Sequence, residues 1–242
     1  MASLVAREIE RVLRPLGLPE RRDFLAGGYA PSRLETLGVP VPAMRRVVQR
    51  FTRELSDEAP AFVIAVAHSL VAGGTSEGRQ VGYELVARRA DAMARMTPST
   101  VQTLGRGNDN WASVDGFATY LAGPAWRLGR IPDRVVLGWA RSRDRWWRRT
   151  ALVSTVALNV AARGGSGDVR RTLRISSTLV GDEDPMVAKA LSWALRALVP
   201  HDPDAVRAFL GRHEARLPAV VRREVRARLD TGRKSTSRRR VS

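Results

Sequence analysis

Apolar residues return at helical spacing along almost the whole chain. Leu4, Val5, Ile9, Val12 and Leu13 form the apolar stripe of a first amphipathic helix. Phe62, Val63, Val66, Ala67 and Leu70 form another, ended by Gly73–Gly74, and Val81, Leu85 and Val86 carry the next. Strand-like alternation bounded by hairpin turns is absent. Breakers recur roughly every 15–20 residues, at spacings that suit short helices: Pro40 and Pro42, Pro60, Gly73–Gly74, Pro98, Gly105–Gly107, Gly123–Pro124, Pro132, Gly164–Gly167, Pro185, Pro203 and Pro218. Ser76-Glu77 opens one helix, and the acids and proline of Asp182–Pro185 head another. About a dozen short helices with tight links predict an all-α fold, a solenoid of stacked antiparallel helix pairs. Its concave face would suit a cylinder.

Charge gives that face a sign. The 242 residues hold 41 Lys and Arg against 24 Asp and Glu, a net +17. Most of the cations are Arg, whose planar fork matches phosphate, and a surplus of this size draws in polyanions. Arg233, Lys234, Arg238, Arg239 and Arg240 sit among Ser and Thr with no acid nearby. The sequence therefore reads as one domain over 1–232 and a disordered basic tail over 233–242. Removing the tail's five cations from +17 leaves about +12 on the body, so the basicity is not confined to the tail. A nucleic-acid partner is expected.

Other chemistry is restricted. There is no cysteine, which excludes disulfides and thiolate metal sites. His68, His201 and His213 are scattered, with no pair at ligand spacing, so no metal is expected. The first residues carry Arg7, Glu8, Glu10 and Arg11 without an apolar run, unlike a signal peptide, and no 18-residue apolar stretch occurs. A cytoplasmic chain that does not enter a membrane is expected, and a monomer would suit a duplex-wrapping solenoid.

Three segments could carry function. In Trp111-Ala-Ser-Val-Asp115 the i, i+4 spacing puts the indole and the carboxylate on one helix face, one turn apart. The preceding Gly105-Arg-Gly-Asn-Asp-Asn110 is turn-like, with Asn108, Asp109 or Asn110 as N-cap. In Arg143-Asp-Arg-Trp-Trp-Arg-Arg149, Arg145 and Arg149 share a face with Trp146 beside them, and interleaved cations and indoles suit phosphate and sugar. In Lys189-Ala-Leu-Ser-Trp193-Ala-Leu-Arg196, Leu191, Ala194, Leu195 and Leu198 read as core, while Lys189 and Trp193 share another face. Each segment alone also fits a core tryptophan with solvated charges.

In this order and at these separations, the three segments resemble the AlkD-type HEAT-like-repeat alkylpurine DNA glycosylases. Trp111 and Asp115 match that family's W-x-x-x-D, Arg149 its central arginine, and Trp193 its third-segment tryptophan. Leu37-Gly-Val-Pro-Val-Pro-Ala-Met-Arg45-Arg46 resembles its G-[VI]-x-x-P-x-R-R. The resemblance spans roughly residues 30–215 and carries the sense of a repeat array. It departs at Asn110 and Ala112, where the family often has an aromatic residue and Asp, and at Gly27–Arg33, which lacks a Tyr-x-Lys stretch.

The resemblance implies a HEAT-like helical repeat solenoid and a monofunctional glycosylase that releases cationic N3- or N7-alkylated purines from duplex DNA, with no cofactor. Asp115 would be the catalytic carboxylate. Trp111, Trp193 and Arg149 would bind the substrate, and Arg145, Arg148, Lys189, Arg45 and Arg46 would contact the DNA backbone. It implies a lesion held without a deep base-flipping pocket, and a protein that joins the nucleoid when bound to DNA. The alternative from another class is a non-catalytic helical-repeat protein that binds DNA by shape and charge.

Overall fold

The computed structural model describes residues 1–232. The expected tail over 233–242 lies outside the described residues. Among those described there is no strand, and the expected all-α fold is what the chain adopts. No helix is long and apolar enough to cross a membrane among the described residues.

The chain, read as one domain over 1–232, divides by its internal contacts into two compact units, the first ending at Pro132 and the second beginning at Asp133. The first unit holds α1 (Ala2–Leu13), α2 (Pro19–Phe24), α3 (Val41–Glu54), α4 (Pro60–Gly73), α5 (Ser76–Ala87), α6 (Ala90–Ala94), α7 (Pro98–Gly105), α8 (Trp111–Phe117) and α9 (Gly123–Arg127). The second holds α10 (Asp133–Ala140), α11 (Arg145–Asn159), α12 (Val169–Thr178), α13 (Pro185–Leu198), α14 (Pro203–His213) and α15 (Ala219–Thr231).

Helix ends follow local chemistry. Proline occupies the first turn of α2, α3, α4, α7, α13 and α14, where a missing N–H costs nothing. Side-chain oxygens of Thr75, Thr97, Asn110, Asp144, Asp168, Asp184 and Asp202 cap the helices that follow them. For α5 the cap is thus Thr75, one residue ahead of the Ser76-Glu77 opening read from the sequence.

In the first unit α4 packs on α1 and α5, and α5 also contacts α3 and α8. Of the predicted α4 stripe, Val63, Val66, Ala67 and Leu70 are buried and Phe62 is half-buried. On α1, Ile9 and Leu13 are buried but Leu4 is about half exposed, so the stripe is narrower than the sequence suggested. The helix α5 departs most from its pattern. Its sequence is half polar, yet Glu77, Arg79 and Glu84 are buried along with Val81, Tyr83, Leu85 and Val86. Gly82 permits this, because its bare Cα approaches the backbone of Ala67 so closely that a Cβ would crowd it.

The helices α8 and α9 form one continuous rod through a π turn at Ala118–Ala122, in which the Gly123 amide donates to the Ala118 carbonyl. Pro124 supplies the cause. Inside a rod it can neither donate to the carbonyl four residues back nor sit tightly beneath it, so the turn widens.

The second unit is organised on α11 and α13, which contact each other extensively, with α10 and α12 against α11 and α15 against α13. Leu152, Val153, Val156 and Ala157 of α11 are buried, as are Leu191, Ala194, Leu195 and Leu198 of α13. Each buried Leu or Val here contributes about 1.5–3 kcal/mol.

Candidate functional site

The short helix α8 is set by the loop before it. The Asn110 side-chain oxygen accepts from the Ala112 amide at 2.9 Å and the Ser113 amide at 3.0 Å, and the Ser113 hydroxyl donates back to the Asn110 carbonyl at 3.2 Å. Two orphan amides of the first turn are thereby satisfied. Ser113, Val114 and Phe117 are buried. That orientation leaves Trp111 and Asp115, one turn apart, half-buried on the other face. The Thr119 hydroxyl donates to the Asp115 backbone carbonyl at 2.7 Å.

Trp111 is held in place. Its indole N–H donates to the Tyr29 carbonyl at 2.6 Å, and the Tyr29 ring meets the indole edge-on with centroids 5.1 Å apart. Phe24, 62% exposed, stacks on Tyr29 at 4.8 Å. A second tie fixes the same segment. Asp109 accepts from the Ser32 hydroxyl at 2.5 Å and the Arg33 amide at 2.8 Å. Burial alone would raise the Asp109 carboxyl, but the Ser32 and Arg33 donors outweigh it and hold its pKa below the ordinary value.

Beside Trp111 lies a cavity of about 330 Å³ whose lining includes Leu25, Tyr29, Val39, Met44, Glu77 and Trp111. Glu77 accepts from the backbone amides of Leu37 at 3.0 Å, Gly38 at 2.8 Å and Val39 at 3.2 Å. It thus fixes the Leu37-Gly-Val turn that leads into α3, where Arg45 and Arg46 stand exposed. Neither makes an ion pair among the described residues.

The second unit treats its arginines differently. Arg145, Arg148 and Arg149 of α11 all reach the head of α13. Arg148 Nε donates to Asp182 Oδ2 at 2.6 Å, and Arg145 Nη1 to Asp184 Oδ2 at 3.3 Å while its guanidinium lies 4.8 Å from the Trp146 ring centroid. Arg149, only 5% exposed, donates from Nη1 to the Met186 carbonyl at 2.5 Å. Asp184 in turn caps α13 through the Met186 and Val187 amides. Three residues expected to face DNA are therefore also the clamp on this helix start. Trp147 packs on Trp139 with centroids 5.2 Å apart. Along α13, Lys189 is exposed without an ion pair among the described residues, and Trp193 is half-buried.

The expected quartet thus divides. Trp111 and Asp115 share a face of α8 in the first unit, and Arg149 and Trp193 belong to α11 and α13 in the second. Sequence reasoning missed the Tyr29 and Asp109 contacts. Their only signal was Gly27–Arg33 itself, the stretch that departs from the resembled pattern.

A model of the DNA alkylation repair enzyme family matches residues 9–229. No curated protein matches the chain. Among solved structures, a predicted DNA alkylation repair enzyme from Enterococcus faecalis shares the fold with a TM-score of 0.70 at 16% identity, covering 89% of this chain and 97% of that one. The family match takes in nearly every helix of both units, and the chain belongs to the DNA alkylation repair enzyme family.

Proposed function

We propose that this protein is a monofunctional glycosylase that hydrolyses the N-glycosidic bond of cationic N3- or N7-alkylated purines in duplex DNA. The observation that carries the reading is the α8 face, where an anchored indole and a carboxylate stand one turn apart in a chain of this family.

The chemistry needs little. Alkylation at N3 or N7 leaves the purine positively charged, so the base departs without a general acid. The remaining task is to stabilise the cation that develops on the deoxyribose, and Asp115 would do so as a carboxylate beside the sugar. At ~4 Å and an effective dielectric of ~20 the attraction is about 4 kcal/mol, worth roughly 10³ in rate. Asp115 would also orient the attacking water. Trp111 would pack against the lesion nucleotide, and in the second unit Trp193 would contact the DNA, as would Arg149 if it releases the Met186 carbonyl. Arg45, Arg46 and Lys189, exposed and without ion pairs among the described residues, suit further backbone contacts; Arg145 and Arg148 would have to share their aspartates with phosphate.

The test is to incubate the protein with methylated duplex DNA and analyse free bases. Release of 3-methyladenine or 7-methylguanine, lost in Asp115→Asn, supports the reading. Binding without release would make the protein a non-catalytic DNA binder, and a fully active Asp115→Asn protein would remove Asp115 from the mechanism.

A further inference from the structure

The loop that delivers α8 rests on a buried cation that the chemistry above does not use. Arg79 of α5 is 7% exposed. Its Nη1 donates to the Arg106 carbonyl at 2.6 Å and approaches Asn108 Oδ1 at 3.5 Å, while Nη2 donates to the Val71 carbonyl at 2.8 Å. The guanidinium lies directly under Gly107, whose φ of +75° shapes the turn. A Cβ there would meet Arg79 Nη2 at 3.2 Å. One turn along α5, the buried Tyr83 hydroxyl donates to the Leu104 carbonyl at 3.0 Å and lies 3.2 Å from Asn108 Oδ1. Tyr83 also packs on Phe117 of α8, and Gly116, next to Asp115, lies against the Gln80 side chain. One face of α5 therefore supports both the loop before α8 and the underside of α8 itself.

Two features make this arrangement hard to read as stabilisation alone. Arg79 forms no ion pair among the described residues, and its Nε is buried without a hydrogen-bond partner. A buried charge in that condition is costly, and an apolar side chain of similar size often serves stability as well or better. What an apolar residue could not do is tie the Arg106 and Val71 carbonyls together with one planar fork.

We propose that Arg79 is a positioning residue. With Tyr83 and Asn108 it locks the Gly105–Asn110 loop so that Asn110 caps α8 in the one register that presents Trp111 and Asp115 together. The inference rests on the glycosylase reading of Asp115. A small rotation of α8 would displace the carboxylate from a reacting sugar without removing any group that touches DNA, and misplacements of this kind cost rate more than affinity.

The test uses the full chain with Arg79→Met, Arg79→Lys and Asn108→Ala. Arg79→Met should slow single-turnover base release roughly 10- to 100-fold while duplex affinity stays as in the wild type. Hydrogen exchange at the Asn108–Ser113 amides should quicken. Arg79→Lys, which keeps the charge but loses the fork, should fall between. Should Arg79→Met fail to fold, Asn108→Ala should lower the rate and loosen the same amides. A rate that falls only in step with duplex affinity, unchanged exchange at these amides, or a wild-type rate in Arg79→Lys would each overturn the proposal. If the wild type releases no base, the glycosylase reading fails on its own, and the exchange measurement still decides the role of Arg79.

Discussion

The loop and first turn of α8 in the first unit and the paired helices α11 and α13 in the second use polar side chains to opposite ends. At α8, amides, hydroxyls, the Asp109 carboxylate and one buried guanidinium hold backbone in place, and Trp111 and Asp115 on the face are left half-exposed. At the head of α13 the charged groups are themselves the fastening, because Arg145, Arg148 and Arg149 close on Asp184, Asp182 and the Met186 carbonyl. A cation already holding an aspartate meets phosphate by exchange, with the gain reduced by what it gives up. Net charge therefore overstates the number of cations ready for DNA. Arg45, Arg46 and Lys189 belong to the ready group.

Substitutions can break or sharpen this contrast. The largest effect is expected at Asp115, where Asp115→Asn should lower base release by about 10²–10³ and leave duplex affinity intact in a binding titration. Next comes Arg148→Ala. Removing a charge-assisted bond from a mostly buried pair should cost about 1.5–3 kcal/mol, read as a lower denaturation midpoint rather than as weaker binding. Asn110→Ala deletes the α8 cap and should cost about 1 kcal/mol, or a shift of a few degrees in Tm, with a larger proportional loss of activity. Smaller still, Arg45→Ala or Arg46→Ala should leave stability alone and reduce the salt dependence of DNA binding by about one unit of log–log slope. If Arg148→Ala instead changed the salt slope and spared stability, the contrast between the two regions would be wrong.

Acid provides the mildest probe. The Asp109 pKa is lowered in the fold, so its ties to Ser32 and Arg33 contribute stability above the ordinary aspartate value. That contribution is lost as pH falls from the ordinary value through the lowered one. The wild type should lose Tm over that window more steeply than Asp109→Asn, which has no such proton to bind.

Helices were the legible part of this sequence. Apolar spacing, proline starts and polar caps are local signals, and the caps of α8 and α13 fall to Asn110, one of three candidates, and to Asp184, one of the acids of 182–185. The shared face of Trp111 and Asp115 was legible for the same reason, since it depends only on helical pitch. Roles set by distant partners were not. Nothing near Arg148 announces Asp182, and a half-polar α5 gives no sign that Arg79 and Glu84 are buried. The Tyr29 hydrogen bond to Trp111 was hidden too, because it runs through the backbone carbonyl, which every residue possesses.

The π turn between α8 and α9 has a consequence for how the rod can change. Each residue of an α-helix advances the rotation by about 100°, and a π turn holds one residue more than the same span of α-helix. The turn thus acts as a phase shifter. Upstream, the angle of Asp115 is set by the Asn110 cap; downstream, the angle at which Trp126 enters the core is set by packing. Mutations that adjust one angle need not disturb the other, since the mismatch is absorbed at Ala118–Ala122.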